Sequence, residues 1–223
     1  MKKLVLAGMM LATALAALTA EVSYGLTTQE IVRQTKSAVV AIIAEDTAIH
    51  PHQYLEGTGW FLTKNRIVTC EHVINNSRHD RMSIVHIFNV ATKEQYTVNH
   101  IAYADAATDI AAIVINESND NCLHYDTWSD LEAGTNVVII GNPLGDYGKV
   151  ITGTIADTDF AGFDKLTNAL ILDADIQEGS SGSPVLDSNG FVMGMVCGVD
   201  KRGNGEGIAA TTQTLWFASL GDN

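Results

Sequence analysis

Basic residues are scarce in this sequence of 223 residues, which has 13 lysines and arginines against 26 aspartates and glutamates. The formal net charge is −13 at pH 7, and no basic stretch with interleaved aromatic residues occurs. Because nucleic acids bind proteins largely through phosphate–cation contacts, this charge balance excludes a nucleic-acid-binding function. An acidic surface favours solubility, and it would also attract basic substrates.

Cysteine is also rare, with only Cys70, Cys122 and Cys197, and none of the three belongs to a Cys-x-x-Cys pair. No cluster of histidine and cysteine has the spacing of zinc ligands, so we expect neither a metal nor another cofactor. In an exported chain, an odd number of cysteines leaves at least one thiol unpaired within the monomer. We expect Cys70 and Cys197 to be small buried core residues rather than redox centres.

Long helical periodicity is missing, apart from one short helix predicted at 211–220. After about residue 35 the sequence consists of short segments rich in Val, Ile, Thr and Tyr, bounded by turn residues, which is typical of β-strands. The predicted strands form two sets of six: 38–44, 59–63, 67–69, 83–88, 95–103 and 110–115, followed by 136–141, 150–156, 169–174, 184–186, 191–198 and 207–211.

This pattern predicts an all-β fold of two packed six-stranded antiparallel β-barrels with a short C-terminal helix, because barrel closure removes exposed strand edges. The N-terminal barrel is predicted at 26–118 and the C-terminal barrel at 129–223. A polar segment at 116–128 lacks a strand pattern and is predicted to connect the two barrels.

The first 20 residues have the features of a signal peptide. Lys2 and Lys3 precede an uncharged apolar run that ends at Ala20, and small residues lie near its end. We expect cleavage and export to the periplasm or the medium, without stable membrane insertion. The alternative is a retained N-terminal membrane anchor, since the uncharged run has 17 residues, the short limit for a membrane span.

Residues 179–184, Gly-Ser-Ser-Gly-Ser-Pro, predict a tight turn with a serine between glycines. Backbone can approach a reacting carbonyl closely at such a turn, because glycine has no Cβ atom. A plain turn between two strands is the alternative interpretation. A serine hydroxyl becomes a nucleophile only beside a histidine that accepts its proton and an acid that orients the histidine. Two other stretches, 57–74 and 105–114, contain His72 and Asp109.

With these three elements in this order, the chain resembles the trypsin-like serine peptidases, most closely the HtrA-like branch. In that branch the histidine lies in Thr-x-x-His-Val after a Gly-x-Gly strand, as at 57–74 here. The acid lies in Asp-x-x-Thr-Asp-Ile-Ala, as at 105–111, and the serine lies in Gly-Asn-Ser-Gly-Gly-Pro, which is Gly-Ser-Ser-Gly-Ser-Pro here. The resemblance extends from about residue 35 to 212. It implies the two-barrel trypsin-like fold, with the active site in the cleft between the barrels. A turn at 140–145 also matches the branch, and we expect it to have a structural role.

The resemblance implies a catalytic triad of His72 as base, Asp109 as orienting acid and Ser181 as nucleophile. In that register the oxyanion hole consists of the backbone N–H groups of Gly179 and Ser181. Asp105 competes with Asp109, but Asp109 directly precedes an apolar run, so we expect Asp105 to be a loop or capping residue. Neighbouring serines and the other histidines lack the family context: Ser180, Ser183, His50, His52, His79, His86, His100 and His124.

Two features differ from relatives. Digestive trypsins have an acid just before the nucleophile, which pairs with a new N-terminus after zymogen cleavage, and here that position is Ser180. HtrA-like proteins usually carry a C-terminal PDZ domain, and no segment here is long enough for one. We therefore expect neither that activation route nor PDZ regulation, and the oligomeric state stays open.

Two functions are consistent with these residues. The first is a serine endopeptidase that hydrolyses exported or surface proteins through an acyl-enzyme, and the second is a non-catalytic peptide-binding module on the same fold. An α/β-hydrolase esterase is excluded, because the chain has neither Gly-x-Ser-x-Gly nor the order Ser, Asp, His.

The residue six before Ser181 lies at the base of the specificity pocket in trypsin-like enzymes, and here it is Asp175. A carboxylate there would select lysine or arginine, whereas HtrA-like enzymes usually prefer small aliphatic side chains. Val196 is predicted on the strand of the pocket wall, where glutamyl endopeptidases have a histidine, so glutamate preference is not expected. Val199 is predicted near the pocket mouth, where it would narrow the entrance. A third alternative is that Asp175 pairs within its own turn.

Overall fold

The structure is a computed structural model that describes residues 25–48, 51, 53–76, 78, 80–125, 131–160, 169–199 and 206–211. The predicted signal peptide at 1–20 and the predicted C-terminal helix after residue 211 lie outside these residues, as do His50, His52 and His79. No helix within the described residues is both long and apolar enough to cross a membrane.

The first unit is an antiparallel sheet of seven strands with two short helices. The helices are α1 (Thr28–Thr35) and α2 (Glu71–Ile74), and a 3₁₀ turn at Lys36–Ala38 follows α1. The strands are β1 (Val39–Asp46), β2 (Gln53–Thr63), β3 (Arg66–Thr69), β4 (Ile84–Phe88), β5 (Gln95–Tyr96), β6 (Val98–Asp105) and β7 (Ile110–Ile115). Their order in the sheet is β5-β4-β1-β2-β3-β7-β6. Strand β3, which leads to His72, is therefore a neighbour of β7, which follows Asp109.

The second unit is a closed six-stranded barrel. Its strands are β8 (Asn136–Gly141), β9 (Lys149–Phe160), β10 (Ala169–Asp173), β11 (Pro184–Leu186), β12 (Val192–Val199) and β13 (Gly207–Thr211). The barrel closes in the order β10-β13-β12-β11-β8-β9, and a 3₁₀ turn at Pro143–Gly145 follows β8.

The predicted all-β fold with two β units is confirmed, and β7, β8, β11 and β13 have the predicted bounds. Within the described residues, the first unit has seven strands where the sequence predicted six, because the strand predicted at 95–103 is interrupted at Thr97. The N–H of Thr97 donates to the Glu117 carboxylate at 2.8 Å instead of to a neighbouring strand. As a result β5 pairs with β4, whereas β6 pairs with β7.

Helix α1 was not among the predicted elements, although its sequence carries a capping box. The hydroxyl of Thr27 accepts from the N–H of Glu30 at 3.3 Å, and the Glu30 carboxylate accepts from the N–H of Thr27 at 2.9 Å. A Thr-x-x-Glu pattern of this kind could have identified the helix start. Just before α1, the N–H of Leu26 donates to the Ser188 carbonyl at 2.7 Å, so the start of the described chain contacts the second unit.

The larger hydrophobic core extends across both units. Trp60 and Phe61 of the first unit belong to the same buried cluster as Leu186 and Met195 of the second. A smaller cluster, which includes Val185 and Val196, fills the barrel. Because one cluster spans the junction, packing of apolar side chains sets the relative position of the two units, and with it the geometry of the cleft between them.

Candidate active site

His72 lies in the one-turn helix α2, directly after the buried strand β3. Val73 and Ile74 are fully buried and anchor this helix in the core of the first unit. The His72 side chain, by contrast, has 48 % of its surface exposed. The local sequence therefore holds the backbone of His72 in the core, while about half of its side-chain surface is buried at the junction and half is accessible to solvent.

Asp109 holds both the ring of His72 and the start of α2. Its Oδ2 atom lies 2.7 Å from Nδ1 of His72, and its Oδ1 atom accepts from the His72 backbone N–H at 3.0 Å. Its backbone carbonyl accepts from the N–H of Glu71 at 3.2 Å. When Nδ1–H donates to the carboxylate, Nε2 is left as the proton acceptor of the ring, which is the tautomer that a general base requires.

The backbone of Asp109 has an uncommon conformation. Its φ angle is +53°, in the left-handed region that residues other than glycine rarely adopt. Such conformations cost on the order of 1–3 kcal/mol and persist where the surrounding contacts impose them, most often at functional sites. Here the three hydrogen bonds to His72 and Glu71 provide those contacts.

The pKa of His72 is raised above its ordinary value by a balance of opposing effects. Burial is the largest and acts to lower the pKa, but the hydrogen bond and the negative charge of Asp109, with the charge of Glu71, outweigh it. The carboxylate therefore stabilises the imidazolium that forms when His72 accepts a proton.

Asp105, the competing acid, has the turn role that the sequence predicted for it. Its carboxylate accepts from the N–H of Ala107 at 3.0 Å and from the hydroxyl of Thr108 at 2.9 Å. These bonds close the turn that leads from β6 into Asp109. Asp105 thus supports the position of Asp109 and does not bond to His72 in the described residues.

The turn at 179–184 exposes one of its three serines. Ser180 and Ser183 are completely buried, whereas Ser181 is half-buried. The N–H groups of Ser180 and Gly182 donate to the carbonyls of Gln177 at 3.0 Å and Val196 at 2.7 Å. Among the described residues, the N–H groups of Gly179 and Ser181 donate to no protein acceptor, so both are available to a ligand.

The segment of His72 and the segment of Ser181 meet at Gly57 on β2. The N–H of Thr58 donates to the Ser181 carbonyl at 2.8 Å. A Cβ atom at Gly57 would lie 2.6 Å from the methyl groups of Val73 and 3.2 Å from the Ser181 carbonyl oxygen. The structure therefore brings His72, Asp109 and Ser181 to one junction between the two units.

Thr58 and Asn142 connect the two units in a way that sequence reasoning missed. The Thr58 hydroxyl donates to the Gly179 carbonyl at 2.9 Å and accepts from the Asn142 N–H at 3.1 Å. The Asn142 side chain donates to the Val40 carbonyl at 3.1 Å, and its oxygen accepts from the N–H of Gly148 at 2.9 Å. Asn142 belongs to the turn at 140–145, whose match to the HtrA-like branch was the only signal in the sequence.

The family of trypsin-like peptidase domains matches residues 57–195, more than half of the chain. This chain belongs to that family. The match covers all three segments that meet at the junction, and family membership makes a serine peptidase the class of this protein.

Solved structures with the same fold are distant in sequence. They include a serine endoprotease from Yersinia pestis (24% identity, TM-score 0.72, 86% of this chain and 64% of that chain). A protease from M. tuberculosis in its active form is 23% identical, with a TM-score of 0.74 over 86% of this chain and 83% of that chain. The HtrA-type protease AlgW with a decapeptide is 19% identical, with a TM-score of 0.73 over 87% of this chain and 67% of that chain. The chain thus spans about two thirds of the length of the Yersinia and AlgW proteins.

Asp175 of this trypsin-like peptidase lines an open cavity of about 690 Å³. The Asp175 carboxylate accepts from the Gln177 side chain at 2.6 Å and lies 3.9 Å from the Lys149 ammonium group, and 68 % of its side-chain surface is exposed. Two further carboxylates and the predicted Val199 belong to the same wall, which consists of Asp173, Ala174, Asp175, Ile176, Gln177, Val199 and Glu206.

Val196, which the sequence placed in the pocket with Val199, does not line this cavity. Its side chain is completely buried in the core of the second barrel. The register of β12 against β13 shifts between Val196 and Gly198, so the strand turns from a barrel-facing position at Val196 to the cavity at Val199. A β-bulge of this kind cannot be read from strand alternation.

Proposed function

We propose that this chain is a serine endopeptidase that cleaves peptide bonds through an acyl-enzyme at Ser181, with His72 as general base and Asp109 as the residue that orients it. The observation that carries the proposal is the pair of hydrogen bonds that the Asp109 carboxylate accepts from the ring and the backbone N–H of His72, at the junction with a serine turn whose Gly179 and Ser181 amides are available. This is the arrangement that a nucleophilic serine requires.

In the proposed reaction, Oγ of Ser181 attacks the carbonyl carbon of the scissile bond while its proton passes to Nε2 of His72. The carbonyl oxygen becomes an oxyanion that accepts from the N–H groups of Gly179 and Ser181. The C–N bond then breaks, and His72 returns its proton to the leaving amine. Water attacks the acyl-enzyme by the same route, and the acid product and Ser181 are released.

Each amide of the oxyanion hole is expected to contribute about 2.7–4 kcal/mol to transition-state stabilisation. Two contacts hold the turn in the required shape. Thr58 fixes the Gly179 carbonyl, and the N–H of Leu144 donates to the Glu178 carbonyl at 2.8 Å. The N–H of Gly179 shares its peptide unit with the Glu178 carbonyl. The N–H of Ser181 shares its peptide unit with the Ser180 carbonyl, which accepts from the N–H of Ser183 at 3.0 Å. Because C=O and N–H point in opposite directions across a trans peptide, anchoring these two carbonyls fixes the directions of the two N–H groups.

The experiment that tests the function is labelling with a fluorophosphonate, followed by mapping of the modified residue. We expect labelling of Ser181, and we expect Ser181→Ala or His72→Ala to lower casein hydrolysis by orders of magnitude without additivity. Ser188→Ala, which removes an exposed serine, is the matched control. A protein that binds peptides but neither labels nor hydrolyses them would establish the peptide-binding module instead.

We further propose that the enzyme prefers lysine or arginine before the scissile bond. Three acidic residues, Asp173, Asp175 and Glu206, line the cavity together with Gln177, which lies four residues before Ser181 in the chain. Within its own turn Asp175 accepts from the Gln177 side chain through Oδ1, while its Oδ2 lies 3.9 Å from the Lys149 ammonium group, a distance that leaves Oδ2 able to pair with a substrate cation. The net charge of −13 would also attract basic segments.

A peptide library with free choice at that position tests the preference. We expect Asp175→Asn to lower the ratio of cleavage after lysine and arginine to cleavage after valine by about tenfold or more, the loss of roughly one charge-assisted hydrogen bond. Asp146→Asn, outside the cavity, is the control. An unchanged ratio in Asp175→Asn would show that small aliphatic residues or another wall residue set the specificity.

We also propose that the protein is exported and acts on exported or surface proteins. The basic residues and apolar run at the start of the sequence support this proposal. N-terminal sequencing of the protein recovered from the periplasm or medium tests it, since a retained anchor would leave the first 20 residues in place.

A further inference from the structure

Cys70 contributes a thiol to the junction for which the proposed reaction has no use. Its Sγ atom, a ring nitrogen of His72 and a carboxylate oxygen of Asp109 all lie within 4.8 Å of one another. Cys70 is completely buried, and its thiol donates to the Val196 carbonyl at 3.2 Å. A sulfur, an imidazole nitrogen and a carboxylate oxygen are the three ligand types that zinc takes in proteins.

We propose that Cys70, His72 and Asp109 bind a thiophilic divalent cation such as Zn²⁺ or Cd²⁺, which takes the place of the proton between His72 and Asp109. Ligand atoms that share one tetrahedral zinc ion lie about 3.5 Å apart, given bond lengths of about 2.3 Å to sulfur and about 2.1 Å to nitrogen or oxygen. The three side chains therefore need movements of about 1 Å to surround an ion. The half-exposed ring of His72 is the part with room to move.

Cys197 is not one of the ligands, since it is buried on β12 and its thiol donates to the Met195 carbonyl at 3.4 Å. Three protein ligands leave the fourth tetrahedral position of the cation to a water molecule. All three ligands belong to the first unit, where His72 and Asp109 are the proposed catalytic residues.

Binding must displace the thiol proton of Cys70, because the thiolate is the ligand. The Cys70 thiol is completely buried and donates to the Val196 carbonyl, so metal binding also breaks that hydrogen bond. We therefore expect reversible binding that is weaker than that of structural zinc sites.

The binding itself is independent of the proposed function, whereas its consequence rests on that function. A cation bound to both Nδ1 of His72 and the carboxylate of Asp109 replaces the hydrogen bond that orients the ring. It also places a positive charge beside the ring, which opposes formation of the imidazolium when Nε2 accepts a proton. Occupation of the site would therefore inhibit hydrolysis, and a chelator would restore it.

Cd²⁺ titration of the reduced protein tests the binding, with the ultraviolet thiolate-to-cadmium charge-transfer band as readout. We expect one ion per chain, an unchanged result in Cys122→Ala, and at least tenfold weaker binding in Cys70→Ala. Cys122 is half-buried outside the junction and is the matched control. Equal affinity in Cys70→Ala, or no band in the folded wild-type protein, would overturn the proposal.

Zn²⁺ inhibition of peptide hydrolysis gives the second readout, expressed relative to each variant's own metal-free rate. We expect Cys70→Ala to need at least tenfold more Zn²⁺ for half-inhibition than wild type or Cys122→Ala. Cys70→Ser, which keeps the size of the side chain but not the soft ligand, replaces Cys70→Ala if that variant does not fold. A cadmium band in a protein that fails fluorophosphonate labelling would support the metal site and refute the proposed function, so the two failures are distinguishable.

Discussion

The two halves of the candidate site are held in place by different means. In the first unit, His72 and Asp109 are positioned by side-chain hydrogen bonds, with Asp109 bonded to both the ring and the backbone of His72. In the second unit, the turn around Ser181 is positioned by backbone hydrogen bonds and by glycines at positive φ, +90° at Gly179 and +88° at Gly182.

The difference teaches which property each half needs. The first half depends on the chemical identity of its side chains, since no other residue type offers the same bonds to His72. The second half depends on backbone shape, because a Cβ atom at Gly182 would lie 1.9 Å from the Thr58 carbonyl oxygen. Isosteric substitutions in the first half should therefore lower the catalytic rate. Substitutions that add bulk in the second half should lower the free energy of unfolding.

The largest effect is expected for Asp109→Asn. The amide keeps the size of the side chain but favours the wrong tautomer of His72, so kcat should fall on the order of 10⁴-fold, as in serine peptidases generally. Unfolding should stay cooperative, since the shape is retained. Asp105→Asn is the matched control in the same turn and should keep most activity, because the amide oxygen can still accept from the N–H of Ala107 and hold the turn. A loss under tenfold in Asp109→Asn would show that Asp109 does not orient His72.

The next effect is expected for Gly182→Ala. The added methyl group would meet backbone at 1.9 Å and the Thr69 hydroxyl oxygen at 2.7 Å, so we expect a loss of about 3 kcal/mol or more in the free energy of unfolding. Gly134→Ala separates sterics from backbone strain, because Gly134 has the same φ of +88° and no atom within 4 Å of its Cβ position. We expect about 1–2 kcal/mol there. Equal losses in chemical denaturation would contradict a role for close packing.

A moderate effect is expected for Thr58→Val, which tests the connection between the halves. The variant leaves the Gly179 carbonyl without its donor and Asn142 without its acceptor, at a cost of about 1–3 kcal/mol. The turn should loosen, so kcat should fall more than KM rises. Thr63→Val, on the exposed end of the same strand, is the control for both stability and kinetics.

The smallest effect concerns the pH profile. Neutral His72 is the active form, and its pKa is raised, so the acid limb of kcat/KM should have its midpoint above the ordinary histidine value of about 6.5. In Asp109→Asn burial acts without the carboxylate, and the midpoint should move to lower pH. The free energy of unfolding should depend on pH in the opposite direction. The His72–Asp109 pair contributes fully to it below the pKa that His72 has in the unfolded state, and this contribution disappears as pH rises through the raised pKa of His72 in the folded state. A midpoint that does not move in Asp109→Asn would refute this coupling.

Strand positions were the most predictable part of the fold. β7 and β8 were bounded correctly because each is a continuous run of apolar residues that ends at turn residues. The break at Thr97 was missed, since it depends on the carboxylate of Glu117, 20 residues later. Helix α1 differs in this respect, because its start has a local signal in the sequence, the capping box of Thr27 and Glu30.

Three segments of sequence determined which residues are candidates for the chemistry, because a histidine, an acid and a serine can be recognised from their immediate neighbours. The contacts that assemble them were decided by tertiary structure. Some of these features are contacts between residues that are distant in the chain, such as the hydrogen bond between Thr58 and Asn142 and the approach of Asp109 to the Cys70–His72 segment. Others depend on such contacts or on strand register, namely the left-handed backbone of Asp109 and the burial of Val196. Local sequence cannot specify such distances, since they arise only when both units have packed against the core that they share.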